Sequence, residues 1–400
     1  MKKQSRRDFL AKTSAGAAAV VTAAVPALAF TNPQATKPAL LGGEPIRNKK
    51  FPAWPVWDEQ DESAILPVLR SGIWSRDNVV TRTEKKYAEL MGAPFCLLTS
   101  NGTQALITAL RALNVEGGDE VITSPYTFIA TVDAILLNNA LPVYVDIDPE
   151  TWQIDADKIE KKITSATRVV LPVHITGGLS HMDKIKAVAN KHGLKIVEDA
   201  CESHLAEWRG QKAGTLGDLG CFSLQNGKQI TCGEGGAILG RDEQLMDLCY
   251  SFHNFGRIKG NFMPRNKGAM PILGTKCRMA EYQASILATQ MDTSVAETKI
   301  RSENAKYLTA KISEIPGIVP RKDYAETNVT AYYYYGFRFQ EQKFGISREL
   351  FVKAMKAEGI GVSTGLGVIE GAPMHREGVM EHTLTSRTFQ KLYPKKRLDE

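Results

Sequence analysis

Val169-Val170-Leu171-Pro172-Val173, Asp183-Lys184-Ile185-Lys186-Ala187-Val188-Ala189-Asn190-Lys191-His192 and Lys195-Ile196-Val197-Glu198 follow one another as a strand-like, a helix-like and a second strand-like run. The alternation extends outward from them. Val121–Ser124, Pro142–Asp146 and Cys221–Leu224 also read as strands, and Gln104–Leu113 and Ile129–Leu137 as helices. Such a succession predicts an α/β domain, a mostly parallel sheet sandwiched by helices. Ligands of such sheets bind beyond the carboxyl ends of the strands, often at helix N-termini. Residues 30–57 form a Pro-rich, Trp-containing entry segment, and 60–92 have a helical pattern. A long helical stretch, Met279–Ile312, leads to a C-terminal part in which Tyr332–Phe339 reads as a strand and Arg348–Glu358 as a helix. We therefore expect a large domain over 30–290 and a smaller α/β domain over 291–400.

The composition excludes several classes. Of 400 residues, 43% are hydrophobic and 24% charged, which is ordinary for a globular chain with a core of normal size. The net charge of +6 is scattered, with no basic stripe and interleaved aromatics, so nucleic acid is not an expected partner. Cys96, Cys201, Cys221, Cys232, Cys249 and Cys277 include no CxxC pair, which argues against a zinc site. They read as small buried hydrophobes.

The N-terminus carries its own message. Ser5-Arg6-Arg7-Asp8-Phe9-Leu10-Ala11-Lys12 resembles a twin-arginine export signal, and Ala27-Leu28-Ala29 an A-x-A cleavage site. The stretch between them is short and rich in Ala, Gly and Thr, which disfavours a membrane span. Residues 1–29 are thus expected to direct export through the twin-arginine translocase to the periplasm or beyond, and are set aside from the fold.

Four separated segments carry candidate chemistry, each with an ordinary structural reading beside it. Ser100-Asn101-Gly102-Thr103-Gln104 opens a helix after a strand; its N–H groups attract phosphate, or it is simply a capped helix start. Pro125-Tyr126-Thr127-Phe128 puts aromatics after a strand, for stacking on a flat ring or for core packing. Glu198-Asp199-Ala200-Cys201-Glu202 places carboxylates at a strand end, where burial demands a partner; Asp199 suits a protonated ring nitrogen, or a helix cap. Ser223-Leu224-Gln225-Asn226-Gly227-Lys228, followed by Gly233-Glu234-Gly235-Gly236, sets a lysine in a polar turn beyond a strand. There it can bond an aldehyde and shuttle protons, or remain a solvated surface lysine.

Together with Leu41-Gly42-Gly43-Glu44-Pro45, Gly118-Asp119-Glu120-Val121-Ile122, Pro172-Val173-His174 and Gly217-Asp218-Leu219-Gly220-Cys221-Phe222-Ser223, these segments resemble the DegT/DnrJ/StrS family of sugar aminotransferases, which depend on pyridoxal phosphate (PLP) and share the fold type I of aspartate aminotransferase. The resemblance spans nearly the whole chain after the signal, and its nearest flavour is the branch acting on keto-cyclitols and keto-sugars. It implies that Lys228 is the Schiff-base lysine, that Asp199 pairs with the pyridinium nitrogen and that Phe128 stacks on the ring. It also implies that Gly102, Thr103 and Ser223 hold the phosphate. Glu202 stands where the family usually has Gln or His near the phenolic oxygen. Lys276 stands where many members place an Asn that reaches the neighbouring subunit's phosphate. Ser363–His375 matches the family's substrate-side stretch poorly, and a further strand or helix is expected beyond Glu400. The expected activity is ping-pong transamination from Glu or Gln to a keto-sugar or keto-cyclitol, in a homodimer. Other PLP chemistry, elimination or epimerisation, and a non-catalytic PLP sensor stay open beside it.

Overall fold

The computed structural model describes residues 37–258, 272–365 and 373–399. The twin-arginine motif lies outside them. The chain divides into two compact units.

The larger unit comprises residues 53–309, 321–336 and 372–400. Its strands are β1 (Phe95–Thr99), β2 (Glu120–Thr123), β3 (Leu141–Tyr144), β4 (Thr167–Val170), β5 (Lys195–Asp199), β6 (Glu207–Trp208), β7 (Gln211–Lys212), β8 (Leu219–Ser223) and β9 (Gly236–Gly240). Seven of them form one sheet in the order β1-β9-β8-β5-β4-β2-β3. β8, β5, β4, β2 and β3 are mutually parallel, and β9 runs antiparallel to both β1 and β8. The mostly parallel sheet expected from the alternation is therefore present, and Leu98, Ile122, Val143, Val170, Ile196, Phe222 and Leu239 build a common core with the flanking helices.

Strand ends differ from the sequence reading for local reasons. β4 stops at Val170, ahead of Pro172, which has no N–H to give a ladder. Pro142 does sit within a strand, but β3 is the sheet's edge, where a missing donor is tolerated. β9 was not expected, because Gly235-Gly236 reads as a turn. Its glycines serve close approach instead: a β-carbon on Gly236 would lie 2.3 Å from the Asn101 carbonyl oxygen. The helix Ile129–Leu137 has the predicted bounds, and Gly102–Ala112, Met182–His192 and Glu281–Ile312 lie close to theirs. At the β2–β3 edge, Met374, Met380, Phe389 and Tyr393 pack with Val132, Leu136 and Leu141.

The described part of the smaller unit comprises residues 37–52, 310–320 and 337–365. Its strand β10 (Ile318–Pro320) precedes β11 (Thr327–Val329), which belongs to the larger unit and pairs with β6; β10 pairs antiparallel with β12 (Phe337–Phe339). The helix Arg348–Ala357 is capped by Ser347, whose hydroxyl accepts the Leu350 N–H at 3.2 Å. Phe351 on that helix stacks on Phe339 with 4.5 Å between ring centroids. The Glu358 carboxylate binds the N–H groups of Ala39 and Ile46 at 2.8 and 3.0 Å. Only Phe337–Phe339 of the expected strand Tyr332–Phe339 is extended; Tyr332 has a φ of 47°, and the tyrosines before Phe337 form a turning segment.

Candidate active site

β5 and β8 lie side by side, with Asp199 opposite Cys221, so their carboxyl ends bring Asp199 and Ser223 to one rim of the sheet. Beyond β8 the chain makes a tight turn. The Gln225 carbonyl accepts the Lys228 N–H at 2.9 Å, the Gln225 side chain accepts the Gly227 N–H at 2.7 Å, and Trp54 Nε1 donates to the Lys228 carbonyl at 3.1 Å. The turn folds the Lys228 side chain inward, leaving it 13% exposed. Its Nζ lies 3.7 Å from Glu202 Oε1 and 4.1 Å from the centroid of the Tyr333 ring. This excludes the reading of Lys228 as a solvated surface lysine.

Asp199 is 5% exposed. Its Oδ1 accepts the Cys201 N–H at 3.2 Å and its Oδ2 the Thr131 hydroxyl at 2.7 Å. Thr131 in turn meets the Thr127 hydroxyl at 2.6 Å; since Thr131 spends its proton on Asp199, Thr127 is the donor there. Both partners of the carboxylate are neutral, and among the described residues it makes no ion pair. A buried carboxylate so placed favours a cationic group brought by a ligand.

Strand alternation sends the neighbouring Glu198 to the opposite face. Fully buried, it accepts the N–H groups of Gly214, Leu216 and Gly217 at 2.9, 2.7 and 2.6 Å and pairs with His174 Nε2 at 2.9 Å. His174 Nδ1 accepts the Ser180 N–H at 3.2 Å, which fixes the ring proton on Nε2. Glu198 thus secures the loop entering β8, while Asp199 faces the site.

Glu202 is held at both ends. Its Oε2 accepts the Thr176 N–H at 2.8 Å, and its carbonyl accepts Gln229 Nε2 at 2.5 Å. Burial pushes its carboxyl above the usual range, and the Lys228 charge and the Thr176 N–H pull it partly back. Tyr126, pushed up to about 12 by burial and then by the Glu202 charge, stays a neutral phenol.

Across the rim, the helix Gly102–Ala112 starts at Asn101, whose side chain accepts the Gln104 N–H at 2.8 Å. The N–H groups of Gly102 and Thr103 have no partner within the helix. A β-carbon on Gly102 would lie 2.8 Å from the Ser223 β-carbon and 3.2 Å from Cys201 Sγ. Glycine alone lets the helix start approach the end of β8 this closely. Phe128, 50% exposed, precedes the helix Ile129–Leu137 and offers an uncovered ring. Lys276 is exposed and bridges Asn254 through the backbone; no side-chain contact joins it to the other candidates among the described residues.

Lys228 with Glu202, and Gly102 with Ser223, are thus brought together, with Asp199 at the same rim. The sequence reading missed Tyr333, Thr131 and Thr176. Tyr332–Tyr335 could have flagged the first, but four consecutive tyrosines read as a strand. PLP fits the residues present: a buried amine for its aldehyde, a buried carboxylate lacking a cation for its ring nitrogen, and a glycine-lined helix start for its phosphate.

Comparisons with known proteins place the chain's family and fold. The model of the DegT/DnrJ/EryC1/StrS aminotransferase family matches residues 55–391. A putative L-glutamine:3-amino-2,3-dideoxy-scyllo-inosose aminotransferase of Streptomyces kanamyceticus is 40% identical over 81% of this chain and 78% of its own. An L-glutamine:2-deoxy-scyllo-inosose aminotransferase of Streptomyces fradiae is 34% identical over 76% and 74%. Among solved structures, 3-amino-5-hydroxybenzoic acid synthase superposes with a TM-score of 0.75 at 28% identity, covering 82% of this chain and 84% of that one. An aminotransferase from Psychrobacter cryohalolentis gives 0.77 at 27%, covering 88% and 90%.

Proposed function

We propose that this chain, which belongs to the DegT/DnrJ/EryC1/StrS aminotransferase family and is a PLP-dependent transaminase of fold type I, moves the amino group of L-glutamine to a keto-cyclitol. The observation that carries the reading is Lys228, turned inward beyond β8 against Glu202, with Asp199 buried at the end of the adjacent parallel strand β5. The named activities of the relatives support glutamine and a scyllo-inosose-like ring as the two substrates.

When bound, the cofactor supplies the electron sink and carries the amino group between the half-reactions. Lys228 would hold it through its Nζ, and that amine would become available as a base once an amino donor is bound. Nζ of Lys228 would take the proton from the donor's Cα and give it up on the cofactor side; in the second half-reaction it would carry a proton the other way, onto the acceptor carbon. Asp199 holds the ring-nitrogen proton through its charge and is itself oriented by Thr131. Gly102, Thr103 and Ser223 would hold the phosphate, Phe128 would pack on the ring and Glu202 would stand near the phenolic oxygen. These positions keep the Cα–H bond within reach of the base.

The same reading extends to the whole protein. The Arg6-Arg7 motif supports export of the folded enzyme by the twin-arginine translocase, and so a periplasmic site of action and an acceptor not linked to a nucleotide. Val56, Trp57, Leu66, Leu69, Ile73 and Trp74 are exposed apolar residues of the larger unit, which supports a homodimer. In it Lys276 reaches the neighbouring subunit's phosphate.

The first experiment is an absorbance spectrum of the purified protein with PLP. A yellow band that borohydride fixes, and that Lys228→Ala lacks, is expected. L-Glutamine should bleach it with release of a keto acid, and a keto-cyclitol should restore it. A protein that stays colourless with added PLP, or one that binds PLP but releases no keto acid from any amino donor, would remove the reading.

A further inference from the structure

Two side chains bracket the Lys228 amine, and both are hung from one turn. Tyr333 presents its ring face to Nζ at 4.1 Å and Glu202 its Oε1 at 3.7 Å. The turn is Ile175–Gly177, where Thr176 and Gly177 adopt positive φ, 60° and 89°. The Thr176 N–H donates to Glu202 Oε2 at 2.8 Å. The Thr176 carbonyl accepts the Tyr334 N–H at 3.4 Å and the Gly177 carbonyl accepts the Ala331 N–H at 2.9 Å. A β-carbon on Gly177 would stand 2.5 Å from the Tyr332 nitrogen and 2.6 Å from that of Tyr333, so only glycine lets the tyrosine segment close on the turn. Tyr334 packs against Tyr333 with 4.3 Å between ring centroids. The Tyr333 hydroxyl stands over Gly227, the residue before the lysine, 3.5 Å from where a β-carbon would be.

A carboxylate and the negative face of an aromatic ring both favour an ammonium over a neutral amine. Among the described residues, the other ionisable groups that act on or feel the amine are Tyr334, His204 and Cys201, all of which burial keeps uncharged. Asp199, the other carboxylate of the site, neighbours Glu202 and Cys201, and no ion pair joins it to Lys228 among the described residues. We propose that Tyr333 is a positioning residue for Lys228: its ring and the Glu202 carboxylate form a seat that holds the amine in its proton-loaded state. The inference rests on the reading of Lys228 as the lysine that bonds PLP. During transfer the substrate C–H bond breaks, its electron pair stays on the substrate side, and the proton joins the Nζ lone pair. The ammonium then waits over Tyr333 until the N–H bond breaks toward the second carbon.

Capture of PLP by the cofactor-free protein needs the neutral amine, so the pH dependence of that rate reports the seat without any turnover. The rate of appearance of borohydride-fixable absorbance is measured against pH for the wild type, Tyr333→Phe, Tyr333→Leu and Glu202→Gln. Tyr333→Phe keeps the ring face and should leave the inflection in place. Tyr333→Leu and Glu202→Gln should each move it to lower pH, Tyr333→Leu by roughly half a unit to one and a half units. A trifluorinated phenylalanine at position 333 keeps the shape and weakens the ring's negative face, so it guards against a misfolded leucine variant and should move the inflection the same way. An inflection that stays put when the ring face is weakened or removed overturns the proposal. The Lys228→Ala control separates this from a wrong lysine: fixable absorbance that survives in that variant overturns the assignment of Lys228 itself.

Discussion

Buried and close to the lysine, His204 shows what a single imidazole costs this fold. Its Nδ1 meets Gln229 Oε1 at 3.2 Å, which makes Nδ1 the protonated nitrogen, while the buried Nε2 has no hydrogen-bond partner among the described residues. Burial holds the ring down at about 3, against an ordinary value of 6.5. The unfolded chain therefore takes up a proton below pH 6.5 that the folded chain refuses, so the stability this ring leaves intact above 6.5 drains away as pH falls toward 3. Between pH 7.5 and 5 the loss is about 2 kcal/mol. His204→Gln removes the titration. Urea unfolding of the cofactor-free protein at the two pH values should show the gap between them narrowing by about that amount, whatever the variant costs at neutral pH. An unchanged gap would mean that the buried ring is protonated in the folded chain after all.

At the level of elements, Gly102 sets a helix start against a strand end, and two effects compete there. Alanine is the better helix former by up to about 1 kcal/mol. Its methyl, however, would have to sit 2.8 Å from the Ser223 β-carbon and 3.0 Å from its α-carbon. Overpacking of that kind costs about 1–3 kcal/mol and displaces the N–H groups meant for the phosphate. Gly102→Ala should thus lower PLP affinity about tenfold or more while moving the thermal midpoint by only a few degrees, as read by PLP titration and by melting of the cofactor-free protein. Equal affinity in the variant would place the phosphate elsewhere. Elements such as this one were open to a sequence reading because their signals are local. The run Ile129–Leu137 announces its own helix, and Lys195–Val197 its own strand. Where tertiary contacts decide, the pattern misled. The β-favouring run Tyr332–Tyr335 turns because the carbonyls of Thr176 and Gly177, far away in sequence, capture the N–H of Tyr334 and that of Ala331 just before the run. Gly236–Gly240 is a fully buried strand whose end glycines look like punctuation. Likewise Lys228, Asp199 and Gly102 stand out as candidates from their positions beyond strands and at a helix start. The Thr131 and Tyr333 contacts need the folded sheet to exist at all.

At the scale of the whole molecule, the exposed apolar residues of the larger unit bear on whether one chain makes a complete site. Leu66 and Leu69 share a face of the helix Glu59–Ser71, and Trp74 after it is held rigid by its indole N–H, which donates to the Leu69 carbonyl at 3.0 Å. Fixed apolar groups of this size in water favour association of like surfaces. Trp74→Glu should therefore shift light scattering from a dimer toward a monomer. Whether Lys276 then acts across the pair can be read without breaking it. Lys228→Ala and Lys276→Ala chains are purified, each expected to be nearly inactive, then mixed under conditions that let subunits exchange. In a mixed dimer one site combines an intact Lys228 from one chain with an intact Lys276 from the other, while the second site lacks both. With random pairing half of the dimers are mixed and each gains one sound site of two, so activity should climb to about a quarter of wild type. If Lys276 serves the site of its own chain, no pairing restores both lysines to one site and the mixture stays at the mean of its parts. If exchange occurs and Lys276→Ala alone is fully active, the exposed lysine is a surface charge and the phosphate is held within one chain by Gly102, Thr103 and Ser223.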